Sequence, residues 1–255
     1  MQQSIQFDHV ADLYDSYVRT EFDIAFWLKE SQMIGGKVLE LACGTGRISI
    51  PLLKAGVDLT CVDYAPGMLS VLRGKLEDHD LLCPIYCRDM AELSLPYQYA
   101  LIFIPFHSFS EVVERDRQRE ALERVYEHLS DGGTFICALQ NPAVRPLTMD
   151  GRPHLLGEFP MDDGNRLSVH SQLLFDEECQ VAAGCQIYEI MSTEGTLIER
   201  RTLNINFYLF RKDEFESLAV RAGFKVLALY GDYEHRPFDD QTSPFMIWKL
   251  GKGPS

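Results

Sequence analysis

Between residues 38 and 139, short apolar runs alternate with amphipathic segments, and no other feature of the sequence restricts the fold as much. Residues 38–41, 59–62, 84–87, 100–104 and 134–139 read as strands, the last after an Asp131-Gly132-Gly133 turn. Residues 47–55, 66–76 and 111–129 read as helices, the second opening on Pro66. Brief apolar strands separated by helices imply parallel βαβ units, with helices on both faces of the sheet. The expected class is α/β, with a doubly wound sheet.

After Gln140 the period changes. Residues 167–175, 180–191 and 196–210 alternate with period two and carry no helical signal, which predicts an inserted antiparallel sheet. The α/β pattern resumes with a helix over 212–222 and strands over 224–229 and 246–250. Two short helices are expected within 5–32, where Phe7, Val10, Leu13, Tyr14 and Tyr17 share a face. Residues 1–140 and 211–255 are thus expected to form the core, and 141–210 a β cap over the substrate site.

With 255 residues, 46% of them hydrophobic, the chain is long enough for a well-buried core. A net charge of −14 argues against a nucleic-acid phosphate track. The segment "EVVERDRQREALERVYEHL" mixes both signs at helical spacing and reads as a solvated helix face. The longest apolar run, residues 100–106, is too short to span a bilayer, and residues 1–6 lack the basic and apolar regions of a secretory signal. Seven scattered cysteines suit a reducing, cytoplasmic setting. Cys83 and Cys87 have no second pair at zinc spacing, so no metal is expected. The expected partners are a small-molecule substrate and at most a second copy of the chain, with neither nucleic acid nor membrane.

The most chemical stretch is "VLELACGTGRISIPLLKAG", an apolar strand, a Gly-rich turn and a helix. Ligands of open α/β sheets sit at the carboxyl ends of the strands. Gly44 and Gly46 permit positive φ and close approach of a ligand to the backbone, and the following helix offers N–H groups to it. A tight turn without a ligand has the same appearance. A Walker A loop needs Gly-Lys-Ser/Thr, whereas Arg47 and Ile48 follow Gly46. A dinucleotide loop needs a third glycine where Ser49 stands. The register that remains is acidic-x-Ala-x-Gly-x-Gly, made by Glu40, Ala42, Gly44 and Gly46.

In that register "VLELACGTGR" resembles motif I of class I S-adenosylmethionine-dependent methyltransferases, with Ala42 in place of the first glycine. "VDYAPGML" is similar to the family's segment after strand two, whose acidic residue binds the cofactor ribose, here Asp63. "CRDMAEL" resembles the segment whose acidic residue contacts the adenine amino group, which maps to Asp89 with Met90 beside it. "LSDGGTFI" resembles the turn into strand five, and "RAGFKVLALYGDY" with "SPFMIWKL" the closing hairpin with its antiparallel last strand. The resemblance implies a Rossmann-like methyltransferase sheet and S-adenosylmethionine as cofactor. A carboxylate accepts both hydrogen bonds of a ribose diol, although NAD-dependent enzymes use the same device and a turn carboxylate before Pro66 looks alike. Tyr64 stands where many relatives carry serine, placed either to stack on adenine or simply to pack. Pro51, early in the motif-I helix, costs a backbone bond.

Methyl transfer asks the protein to align a lone pair, exclude water and remove a proton. Strand four ends in "LIFIPFHSFS", where His107 is the candidate base, since histidine is the side chain there that titrates near neutrality, and equally a structural residue. Phe106 and Phe109 are expected to wall the pocket. "ADLYDSYV" resembles the family's lid helix, making Tyr14 the candidate that closes over the cofactor and reacting atoms, with Tyr17 second. Asn141 is a candidate to orient the acceptor, as is Tyr208, which shares a polar strand face with Asn204 and Asn206. Arg152 and His170 are further candidates. The inserted sheet resembles the cap of small-molecule N-methyltransferases acting on amino sugars and related metabolites. The expected function is methyl transfer to an N or O atom of a small polar metabolite. An NAD(P)-dependent oxidoreductase and an inactive cofactor-binding scaffold are the alternatives.

Overall fold

The computed structural model describes residues 5–144 and 149–252. Residues 1–4, part of the stretch read for a secretory signal, lie outside it, as do 145–148 of the expected cap and 253–255. A 3-10 turn at Phe7–Val10 leads into helix α1 (Ala11–Tyr17), followed by α2 (Ile24–Ile34). The expected alternation comes next: β1 (Val38–Leu41), α3 (Ser49–Lys54), β2 (Leu59–Asp63), α4 (Pro66–Asp78), β3 (Ile85–Cys87), β4 (Tyr99–Ile104), α5 (Arg115–His128) and β5 (Leu129–Gln140).

Four strands follow, β6 (Asp150–Pro160), β7 (Arg166–Asp176), β8 (Val181–Met191) and β9 (Leu197–Tyr208), then α6 (Lys212–Arg221), β10 (Phe224–Tyr230) and β11 (Phe245–Lys252). The main sheet has the order β10-β11-β5-β4-β1-β2-β3, and β11 runs antiparallel to both of its neighbours. The strand order reverses beside β1, whose neighbours β2 and β4 are both parallel to it. This is the switch point at which open α/β sheets hold ligands. The cap is an antiparallel sheet in the order β6-β7-β8-β9.

Three boundaries differ from the sequence reading. Strand β6 has no period-two pattern because Pro153 and three further irregular positions interrupt it. Its pairing with β7 shifts register twice, and it occupies the sheet edge, where a missing N–H is tolerated. The helix expected over 111–129 begins only at Arg115. Residues Ser108–Glu111 form a 3-10 turn, Val112 is extended, and the Gln118 side chain donates to the Val112 carbonyl at 2.7 Å. The Asp131-Gly132-Gly133 turn lies inside β5 as an irregularity with Gly132 at φ +72°.

Apolar layers cover both faces of the main sheet. On one, Leu39, Ile102 and Phe135 meet Leu122, Phe215 and Trp248; on the other, Phe103 and Ile136 meet Trp27, Leu52 and Leu69. Trp27 stacks on Phe103 with ring centroids 4.7 Å apart. Each such buried side chain contributes about 1.5–3 kcal/mol. A third cluster joins the cap to the N-terminal segment, with Val10 and Leu13 against Leu167, Val169, Leu203 and Ile205. Arg201 of β9 adds bonds to Asp12 (2.6 Å) and the His9 carbonyl (3.1 Å). Helix α1 is therefore held between cap and core. Among the described residues no helix is long and apolar enough to cross a membrane.

Candidate active site

The Gly-rich turn leaves β1 through three left-handed residues, Ala42 (φ +57°), Gly44 (+55°) and Gly46 (+85°). Ala42 adopts the conformation that a glycine would favour there. Asp63, at the end of the adjacent β2, fastens the turn by accepting from the Gly44 N–H at 2.8 Å and the Ala65 N–H at 2.9 Å. Burial raises its carboxyl to about 6, against the three backbone N–H groups that favour the charge. Near neutral pH it is thus an ionised acceptor beside the turn. Gly46 has no room for a side chain, since an added Cβ would lie 2.4 Å from Leu72 Cδ1. Gly46→Ala is expected to cost roughly 2–4 kcal/mol of stability, through overpacking and the positive φ, as measured by urea unfolding.

Glu40 and Ser49 explain each other. Ser49, where a dinucleotide loop would have its third glycine, is fully buried and donates to Glu40 Oε2 at 2.6 Å. Burial raises the Glu40 carboxyl to about 8. Together with Tyr14, Ala42, Gly44, Arg47 and Phe106, Glu40 lines a cleft above the turn. With α1 seated over it this cleft measures about 40 Å³.

Helix α1 supplies Tyr14 and Tyr17, edge-to-face at 5.4 Å. Burial raises both phenols, Tyr17 to about 12. Asp15 ties the helix to the turn through Thr45 Oγ1 (2.7 Å) and Lys75 (2.5 Å). Tyr64 donates to the Ile5 carbonyl at 2.9 Å and packs with Phe7, Tyr14 and Met68. Beyond β3, Asp89 accepts from the Ala91 N–H (2.8 Å) and pairs with Arg117 (2.8 Å), while Met90 beside it is buried in the core. Asp89 is therefore both a cap of the short turn at Met90–Glu92 and one partner of an ion pair.

At the exit of β4, Phe106 (φ +53°) and His107 (+68°) are both left-handed. Phe106 faces the cleft with the Arg47 guanidinium 4.8 Å from its ring centroid. The His107 ring stacks on Phe106 and Phe245 at 5.9 and 5.4 Å. Phe109 does not wall the pocket: it is wholly buried in the core against Phe210 and Phe215.

Asn141 does not face an acceptor either. Its amide donates to the Asp240 and Ser243 carbonyls (3.0 and 2.9 Å) and its oxygen accepts from the Ala143 N–H, anchoring a loop. Tyr208 is buried, donating to Glu214 (2.5 Å) and accepting from Arg115 (2.7 Å). It lines a separate groove of about 630 Å³ with Val113, Arg115 and Leu174 rather than the cleft over the turn. Arg152 sits on the exposed edge strand, and His170 lies on β7 opposite Ile187. Asn204 points to solvent. Cys83 packs on Cys61 with sulfurs 3.8 Å apart, and the exposed Cys87 thiol donates to the Tyr64 carbonyl. Among the described residues no group of three or more metal-ligating side chains converges.

Two residues of the site carry no signal in the sequence. Arg47 forms a buried bidentate pair with Asp23 (2.5 and 2.8 Å) that ties the turn to α2. Glu111, half-buried, ends the 3-10 turn after β4, and burial raises its carboxyl to about 8. Only its place at the head of a charged helical run marked it, and that pattern points to solvent.

Residues 38–133 match the family described as a methyltransferase domain, and these span the Gly-rich turn, Asp63, Asp89 and the β4 exit. These residues thus carry a methyltransferase domain, and over the rest of the chain the fold is similar to that of S-adenosylmethionine-dependent methyltransferases. The cypemycin N-terminal methyltransferase of Streptomyces sp. is 23% identical over 242 residues, 92% of each chain. With three further curated relatives, the match spans about half of their length or less. Among solved structures, the CcbJ methyltransferase of Streptomyces caelestis superposes with a TM-score of 0.82 at 24% identity, covering 99% of this chain and 100% of the other. The sugar N-methyltransferase KedS8 of Streptoalloteichus sp. superposes with a TM-score of 0.75 at 17% identity, covering 95% and 92%. At these identities the likeness shows the fold, cap included.

The methyltransferase cofactor is S-adenosylmethionine, and the residues present suit it. Gly44 and Gly46 open the backbone at the sheet's switch point, and Asp63 places a carboxylate beside them.

Proposed function

We propose that this protein transfers a methyl group from S-adenosylmethionine to an N or O atom of a small polar metabolite. The observation that carries the reading is the bond from the Gly44 N–H to Asp63 across the parallel ends of β1 and β2. It sets the glycine turn and the acidic residue side by side, as a nucleoside with a charged amino-acid tail requires. When bound, the cofactor supplies an electrophilic methyl group on a sulfonium.

The chain's own residues do the rest. Gly44 and Gly46 admit the amino-acid portion, Asp63 accepts from the ribose diol, and Asp89 with Met90 and Tyr64 borders the adenine end. Tyr14 covers the reacting end from α1, and the cap holds α1 in place and excludes water. His107, stacked between two rings, keeps Phe106 turned into the cleft. The fold shared with a sugar N-methyltransferase, and similarity along 92% of the chain to the cypemycin N-terminal methyltransferase, support a compact polar acceptor and favour nitrogen.

Calorimetry with S-adenosylhomocysteine is expected to give a dissociation constant in the micromolar range, roughly −8 kcal/mol. Absence of binding, together with binding of NADH, would overturn the reading. A metabolite screen that follows S-adenosylhomocysteine release, with mass spectrometry of the product, then identifies the acceptor.

A further inference from the structure

We propose that Arg47 binds the carboxylate of the cofactor's amino-acid tail through the free edge of its guanidinium, an inference that rests on the methyl-transfer reading above. A guanidinium holds its N–H donors in one plane, where pairs of them form forks that match a carboxylate. Asp23 occupies one fork, with Oδ1 on Nη1 at 2.5 Å and Oδ2 on Nη2 at 2.8 Å. The remaining N–H of Nη1 donates to the Thr20 carbonyl at 3.0 Å. The other fork, made by Nε and the second N–H of Nη2, has no acceptor among the described residues.

That fork belongs to a residue of the cleft itself. Arg47 directly follows Gly46 and lines the cleft with Tyr14, Glu40, Gly44 and Phe106. Its guanidinium lies over the Phe106 ring, 4.8 Å from the centroid, at the β4 exit. Asp23, Thr20 and Phe106 together hold the group, and its side chain is only 14% exposed. It is therefore ordered before a ligand arrives, so binding costs little side-chain entropy. Glu40 contributes a carboxyl to the same lining. The cleft thus offers a cationic fork and a carboxyl, which match the carboxylate and the ammonium of an amino-acid tail.

Asp23 does not use up the arginine. One guanidinium bridges two carboxylates when each takes its own fork, and the ammonium of the tail offsets the second negative charge. Because Asp23 already balances the charge of Arg47, the fork selects by geometry: it favours a planar group with two acceptor oxygens over anions in general. A lysine at this position would carry the charge without the fork. A nucleoside that lacks the carboxylate forfeits the contact and keeps every other part of the site.

The probes are S-adenosylhomocysteine and its decarboxylated analogue, which lacks only the carboxylate, each titrated by calorimetry. Wild-type protein is expected to bind S-adenosylhomocysteine about 30-fold more tightly than the analogue. The double variant Asp23→Leu with Arg47→Met removes the fork without changing the net charge, and there the two affinities should lie within about threefold. The ratio is the readout, because a purely structural change of the cleft weakens both compounds alike. A preference that survives in the double variant, or wild-type protein that binds both compounds equally, would overturn the proposal while leaving the methyl-transfer reading intact. Failure of wild-type protein to bind either compound would overturn the reading itself. Should the double variant not fold, Arg47→Lys decides: it keeps a charge for Asp23 but has no fork, so the preference should fall below about tenfold. An undiminished preference in Arg47→Lys refutes the role.

Discussion

Replacing Asp63 by alanine is expected to weaken S-adenosylhomocysteine binding by roughly 30- to 150-fold, about 2–3 kcal/mol. Two losses combine. The ribose diol forfeits a charged acceptor, and the Gly44 and Ala65 N–H groups, now bonded to the carboxylate at 2.8 and 2.9 Å, lose their partner. The second loss also loosens the turn, so the effect should exceed that of removing a ligand contact alone. Asp63→Asn separates the two. Its oxygen still accepts one N–H, but its NH2 meets the other donor to donor, so affinity should recover only partly. Calorimetry of both variants provides the check, and affinity equal to wild type in Asp63→Ala would place the ribose elsewhere.

The sheet was legible because its strands are buried on both sides and therefore appear as short apolar runs, from Val38 to Leu139. The turn was legible because Gly44, Gly46 and Asp63 are demanded by backbone conformation and hydrogen bonding, which leave marks on residue type. Strand β6 was hidden by Pro153 and its two register shifts, which erase the alternation that reveals a strand. Phe109 and Phe106 looked alike in sequence, and only the left-handed backbone at Phe106 and His107 sends one to the cleft and the other to the core. Asn141 reads as a turn residue before Pro142. Its two bonds to a loop about 100 residues away have no local signature. Glu111 was masked by the surface-helix pattern that begins with it, although the helix itself starts four residues later.

Asp23→Ala is expected to cost about 3–5 kcal/mol of stability, read as a lowered urea midpoint, since it strands a buried arginine. The Asp23 side chain is fully buried and that of Arg47 is 14% exposed. Besides the paired guanidinium, Asp23 accepts from Trp27 Nε1 at 3.2 Å, so α2 and the core tryptophan lose an anchor together. Left alone, Arg47 keeps the Thr20 carbonyl at 3.0 Å and the Phe106 ring, neither of which carries a charge. The double variant Asp23→Leu with Arg47→Met should recover at least half of that stability, because an apolar pair of similar volume avoids the cost of burying two charges. It should not recover S-adenosylhomocysteine affinity. Arg47 lines the cleft and its contact with Phe106 fixes the β4 exit, so the same pair that makes the fold rigid also sets the shape of the site. A double variant that regained both stability and affinity would show the pair to be a structural clamp alone.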